Sequence, residues 1–168
     1  MMKSEDGSSQ EKKQKLFFPV FVDLTEKTIL VAGGGVVATR RIRTLLPFVQ
    51  RITAIAPEFS EELEELAARE KALALLQRPI EDGDLEQLKP DLVLAATSQP
   101  DRNAELQQLC RKKGIPVNVS TDQKLCDFQF PSVLMEDGAV IGINASGRDH
   151  RKVRSLRERI EAFLRRNA

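Results

Sequence analysis

The sequence contains no tryptophan and no tyrosine, a single histidine (His150), and only two cysteines, Cys110 and Cys126. Each shortage removes a chemistry. One histidine cannot build a histidine-rich metal centre and serves Ser-His-Asp catalysis poorly. Two isolated thiols without metal-ligand spacing supply no zinc site and no disulfide framework, and they fit a reducing, cytoplasmic setting. No apolar run approaches the about 18 residues of a membrane-spanning helix, and the polar N-terminus offers no signal-peptide hydrophobic region. A surplus of one charge is also missing: 26 Lys and Arg stand against 25 Asp and Glu, a net charge of +1. That balance gives no global electrostatic case for nucleic acid. The expectation is no membrane, no nucleic acid and no resident metal.

What is present suits one α/β domain with a small appendage: 168 residues, 41% of them hydrophobic. The chain is organised around the stretch at 28–41. Ile29, Leu30, Val31 and Ala32 run without polar alternation, as in a strand covered on both faces. Gly33, Gly35 and Ala38 then fit the G-x-G-x-x-G/A spacing of dinucleotide-binding folds. In that pattern the first glycine permits a sharp turn. The second clears space for a pyrophosphate, and the third small residue lets helix and strand pack closely. The helix start, at Val36 and Val37, would offer free N–H groups and a partial positive charge to the phosphates. By itself the spacing is weak evidence, because three glycines between a strand and a helix can also be only a tight turn.

The remaining chain supplies the context. Residues 1–15 are charged and read as a disordered tail. The apolar lead-in at 16–24 is expected to lie against the sheet. After the glycine turn, Val37, Ile42, Leu45 and Leu46 approach a helical stripe that ends near Pro47. A strand at 51–56 closes on Pro57 and Glu58, where an acid would meet the adenosine ribose of NAD. The absence of an arginine at that strand end favours NAD over NADP. An acidic helix at 61–70 reads as a solvated face. A strand at 74–77 precedes the acidic turn at 81–84, expected to be exposed, and a short helix at 85–88. The strand at 91–97 should bring Thr97 to the same crevice as the glycines. A helix at 100–113, with Gly114 as its cap, and a strand at 116–120 complete an alternating pattern. The fold class is α/β: a Rossmann-like parallel sheet over 16–130, followed by a C-terminal β-hairpin and a long helix over 131–168. Glu136-Asp137-Gly138 is the hairpin signal. Residues 148–168 carry eight Lys and Arg against three Asp and Glu.

Several segments together resemble the precorrin-2 dehydrogenase family, the dehydrogenase and chelatase portion of siroheme synthase. They are FPVFVDL at 18–24, ILVAGGGVVA at 29–38, APE at 56–58, and PVNV at 116–119 followed by LCDFQFPS at 125–132. The last is far more specific than the glycine motif. The resemblance implies oxidation of precorrin-2 to sirohydrochlorin with NAD⁺ as hydride acceptor, in a homodimer assembled through the 131–168 segment. Some members also insert ferrous iron. It places NAD on Gly33, Gly35, Val36, Val37, Pro57, Glu58 and Thr97. The substrate is a large polycarboxylate ring, which Arg148, Arg151 and Lys152 could neutralise. A solvated helix face explains those three residues equally well. Cys126 reads as a packed residue rather than a catalytic one.

The sequence also departs from the family pattern. Aligned on Val117-Asn118-Val119, the family's acid/base aspartate falls on Thr121, with Asp122 next to it. Threonine cannot act as a carboxylate base near neutral pH. Asp122 could substitute, or could be a loop acid. If neither serves, hydride transfer would rest on positioning with water as proton acceptor, and chelation is the activity in doubt. The small helical domain of longer relatives is expected to be missing after the long helix. A non-catalytic tetrapyrrole-binding or partner subunit is the alternative reading.

Overall fold

The computed structural model describes residues 16–146 and 149–167. The expected tail at 1–15 lies outside the described residues. Five parallel strands form the central sheet: β1 (Thr28–Ala32), β2 (Arg51–Ala56), β3 (Leu73–Gln77), β4 (Leu92–Ala95) and β5 (Val117–Val119), in the order β3-β2-β1-β4-β5. The central place of β1 explains its unbroken apolar run, since Ile29, Leu30, Val31 and Ala32 are all fully buried. Alternate residues serve opposite faces. Ile29 and Val31 pack with Ala38, Ile42 and Leu45 of α1 (Val36–Leu45) and Leu63 of α2 (Glu61–Arg69). Leu30 and Ala32 pack with Leu85 of α3 (Asp84–Leu88) and Leu106 and Cys110 of α4 (Pro100–Lys112). Each fully buried Ile or Leu side chain contributes about 1.5–3 kcal/mol of transfer free energy, so these two clusters hold the helices to the two faces of the sheet.

The second sheet is the hairpin β6 (Ser132–Glu136) and β7 (Ala139–Ile143), antiparallel, with Glu136 opposite Ala139. Asp137 and Gly138 both have positive φ, 45° and 79°, the mark of a type I′ turn. The last helix, α5 (His150–Asn167), lies along the hairpin. Arg157 fastens it there, donating from Nη1 to Ser132 Oγ at 3.3 Å and to the Val133 carbonyl at 3.2 Å.

The segment between β5 and the hairpin protects the sheet edge. Asp127 N–H donates to the Val117 carbonyl at 2.9 Å, and Asp127 Oδ2 accepts from Val117 N–H at 3.0 Å. Asn118 Nδ2 donates to the Phe128 carbonyl at 2.8 Å. The Cys126 thiol exchanges bonds of 3.1 and 3.2 Å with the Val119 backbone. Polar groups that an edge strand would leave open are thereby closed.

Three local expectations are corrected. The lead-in does not lie against the sheet: Phe18, Phe21 and Val22 are 87, 77 and 66% exposed, because α1 and α2 cover one face and α3 and α4 the other. Of that segment, Leu24 packs against the core. Val37 is also exposed, and Ala38 and Thr39 take the inward places of the first helical turn. The acidic turn is not wholly solvated either. Asp84 is 2% exposed and is gripped by Arg78 through bonds of 2.9 and 2.5 Å.

Candidate cofactor and substrate site

The sheet order places the glycine turn at a topological switch point. The chain leaves β1 toward β2 on one side and meets β4 on the other, and ligands bind such sheets at the carboxyl ends of those strands. The three glycines there have separate jobs. Gly33 has φ +130°, and a Cβ on it would stand 2.3 Å from the Ala96 carbonyl oxygen just past β4. A Cβ on Gly34 would stand 2.2 Å from the Glu58 carbonyl oxygen. At Gly35 a Cβ would meet nothing within 4 Å. Gly33 and Gly34 therefore let two neighbouring loops close on the turn, and Gly35 leaves an opening.

That opening faces an uncapped helix start. Gly35 is the N-cap of α1, with no side-chain cap and no acidic residue in the first turn. Thr39 N–H is the first to bond back, to the Gly35 carbonyl at 3.0 Å. The N–H groups of Val36, Val37 and Ala38 thus have no acceptor within the helix. Val36 and Val37 are exposed beside them. Such donors at the positive end of a helix suit a pyrophosphate.

The walls of the opening are held by polar residues that spacing alone did not reveal. Ser60 N–H donates to the Gly34 carbonyl at 2.9 Å, and Ser60 Oγ lies 3.0 Å from Thr39 Oγ1. These bonds pin the loop carrying Pro57 and Glu58, both exposed, against the glycine turn. On the opposite side Asn103, fully buried on α4, clamps the end of β4. Its Oδ1 accepts from Thr97 N–H at 3.1 Å and from Thr97 Oγ1 at 2.7 Å, while its Nδ2 donates to the Thr97 carbonyl at 3.1 Å. The same Nδ2 reaches Thr121 Oγ1 at 3.3 Å, joining the ends of β4 and β5. The Thr97 hydroxyl is thereby held inside the loop. Asn103 could have been suspected only as a polar residue breaking the apolar face of α4.

Asp122 is exposed and caps a short 3-10 turn (Gln123–Leu125), its Oδ1 accepting from Lys124 N–H at 2.8 Å. A cleft of about 660 Å³ opens between α1, the end of β5, the hairpin and α5. The cations lining it are Arg40, Arg41, Arg154 and Arg157. Arg154 pairs with Glu158 and Arg157 with Glu161. Arg41 lies 5.4 Å above the centre of the Phe130 ring. Burial pulls its pKa below the ordinary guanidinium value; the nearby Cys126 opposes that shift and the like charge of Arg40 adds to it. Arg151 and Lys152 stand exposed on the first turn of α5, away from the cleft lining. Arg148 lies outside the described residues. Burial pushes the Cys126 thiol up and the Cys110 thiol up to about 12, so neither is a ready nucleophile. Among the described residues, no group of three or more His, Cys, Asp and Glu side chains is placed to hold a metal ion, and no helix is long and apolar enough to cross a membrane.

The model of the family described as "Putative NAD(P)-binding" matches residues 20–132. The chain belongs to this family. It is 38% identical over 148 residues to the siroheme synthase of Thioalkalivibrio sulfidiphilus and 36% identical over 154 residues to that of Nitrosomonas europaea. Each match covers 88% of this chain, and 30% and 31% of those proteins respectively, so the chain spans about a third of their length. A solved structure titled "SirC, precorrin-2 dehydrogenase" superposes with a TM-score of 0.71 at 25% identity, covering 87% of this chain and 70% of that one. The resemblance drawn from the four sequence segments is borne out, as is the Rossmann-like sheet with its hairpin and long helix. NAD(P) is the cofactor class of this family, and the opening at Gly35 fits it: the space is free of side chains and ringed by unpaired backbone donors.

Proposed function

We propose that the chain oxidises precorrin-2 to sirohydrochlorin with NAD⁺. The observation that carries this reading is the opening at Gly35, set at the switch point on the same sheet edge as an arginine-lined cleft. Dinucleotide bound there would supply a hydride acceptor, and the reaction balances as precorrin-2 plus NAD⁺ giving sirohydrochlorin, NADH and one proton. The protein's own residues position the partners. Val36 and Val37 present backbone donors to the pyrophosphate. Glu58 would meet the adenosine ribose, which favours NAD over NADP because an acid there repels a 2′-phosphate. Gly33 and Thr97 shape the walls, and the cleft arginines hold the ring's carboxylates; Arg151 and Lys152, exposed on α5 outside the cleft lining, add only general positive charge.

Asp122 is the proton acceptor in this reading, since its Oδ1 is fixed by Lys124 N–H while the side chain stays exposed, one residue before Gln123 of the cleft lining. The exposed apolar surface at Phe18, Phe21, Met135 and Leu156 supports a homodimer. Two free cysteines fit a cytoplasmic enzyme. The test is one assay of purified protein with precorrin-2, NAD⁺ and Fe²⁺ that follows NADH formation and metal insertion separately. NADH formation is expected. NAD binding without turnover would instead support a tetrapyrrole-binding subunit. Asp122→Asn keeps the cap and removes the base; kcat should fall by about 100-fold, and an unchanged kcat would leave Asp122 with only its capping role.

A further inference from the structure

Among the described residues, three buried side-chain polar atoms have no hydrogen-bond partner: Arg41 Nη1, Gln107 Nε2 and Asn118 Oδ1. Arg41 and Asn118 line the same cleft. They come from different elements, α1 and β5, and have opposite character, one a cationic donor and the other a neutral acceptor.

Neither is left open by chance of assignment. The amide orientation of Asn118 is set by the Phe128 carbonyl, to which only its nitrogen can donate, so the free atom is the oxygen. Asn118 is 3% exposed, and water-free burial of an unpaired carbonyl is unfavourable. Arg41 is half-buried, and its guanidinium makes no ion pair among the described residues. Stacking on Phe130 offsets part of its lost hydration, but a ring face cannot accept the in-plane N–H bonds of a guanidinium. The other helix-borne cations of the cleft differ. Arg154 and Arg157 carry their own glutamates at 2.9 and 3.0 Å, and Arg40 is exposed. The cleft therefore holds one desolvated cation awaiting an anion and one desolvated acceptor awaiting a donor.

We propose that Arg41 and Asn118 are a recognition pair in the cleft, Arg41 binding a peripheral carboxylate of a tetrapyrrole and Asn118 accepting a hydrogen bond from one of its ring N–H groups. The identity of the ligand rests on the dehydrogenase reading above; the demand for an anion beside an N–H donor rests on the two unpaired atoms. A polycarboxylate tetrapyrrole carries both groups on one rigid frame. A dinucleotide phosphate alone would satisfy Arg41 and leave Asn118 unpaired.

The experiment is a titration of the intact chain with metal-free sirohydrochlorin, read from the ligand's own emission, which the absence of Trp and Tyr leaves free of protein background. Arg41→Met keeps the stacked stem and removes the charge; Asn118→Leu removes the acceptor. Each should weaken binding by about tenfold or more. Arg41→Lys should fall between the parent and Arg41→Met, since it keeps charge and loses the fork. Lys112→Met removes the same charge from a separate hollow on α4 and should bind like the parent. NAD⁺ affinity, measured on every variant, should be unchanged, which reports an intact fold without relying on Asn118→Leu alone. Parent binding that survives Arg41→Met unaltered overturns the pair and leaves the dehydrogenase reading standing. No sirohydrochlorin binding by the parent overturns both.

Discussion

The three adjacent glycines allow stability and cofactor binding to be separated by single methyl groups. Gly35→Ala adds a Cβ where nothing lies within 4 Å, at a residue with φ −88° and ψ −172° that alanine adopts without strain. Alanine is a poorer N-cap than glycine, at about 0.5–1 kcal/mol, and a less flexible unfolded chain returns about 0.4–1 kcal/mol. The net change is within about 1 kcal/mol, or at most about 4 °C in Tm for a chain of this size. Gly33→Ala is different in kind. Its φ of +130° lies outside the range of L side chains, a strain of about 1–3 kcal/mol. The new Cβ would also press to 2.3 Å from the Ala96 carbonyl oxygen, forcing the end of β4 outward for about another 1–3 kcal/mol. Its Tm should fall by on the order of 10 °C. NAD⁺ affinity should invert that ranking among folded proteins. Gly35→Ala keeps the parent's melting curve and weakens NAD⁺ by about tenfold or more, about 1.4 kcal/mol, because the methyl group fills the passage of the pyrophosphate. Differential scanning calorimetry and isothermal titration with NAD⁺ read the two effects independently. A Gly35→Ala protein that binds NAD⁺ within about twofold of the parent refutes the assignment of the opening. A Gly33→Ala protein that melts with the parent refutes the close packing on Ala96.

Asn103→Leu, nearly isosteric, should lower unfolding free energy in urea by about 2–3 kcal/mol, because Thr97 loses partners for its N–H and carbonyl inside the fold. NAD⁺ affinity should drop with it, since the loop beside Gly33 is released; a stability loss with full affinity would separate the clamp from the site. The Arg78–Asp84 pair sets a pH dependence. The Arg78 hydrogen bond is the largest influence holding the Asp84 carboxyl below its ordinary value of 3.8. A depressed folded pKa means stability that is present above 3.8 and is lost as pH falls through the lower folded pKa. Arg78→Met should therefore cost about 2 kcal/mol at pH 7, with the gap to the parent closing as acid unfolding proceeds below that range. A gap that stays constant down to the acid transition would mean the pair is not the source.

The parts of the fold that could be read from the sequence are those decided by local pattern. β1, the glycine turn and the alternation of strands and helices follow from apolar runs and turn residues whose meaning does not depend on distant partners. The failures share one cause: each depended on what lies opposite. Apolar residues 16–22 suggested a covered segment, but four helices already occupy both faces of the sheet. Val37 fits the helical stripe by spacing, yet at the first turn that side faces the crevice and not the sheet. Asp84 looked like one of several loop acids until the fold brought Arg78 to it.

The same limit falls hardest on the site. Gly34 is indistinguishable in the sequence from its two neighbours, and only the approach of the Glu58 carbonyl gives it a separate role. Arg40 and Arg41 are adjacent and chemically identical, but the helical step turns one to solvent and the other onto Phe130, about ninety positions later in the chain. A local pattern can therefore place a phosphate, because the helix start that binds it is itself local. It cannot place the substrate's carboxylates. The cation proposed to bind them is distinguished from its neighbour only by which one lost its water, and that is decided by residues folded against it from elsewhere in the chain.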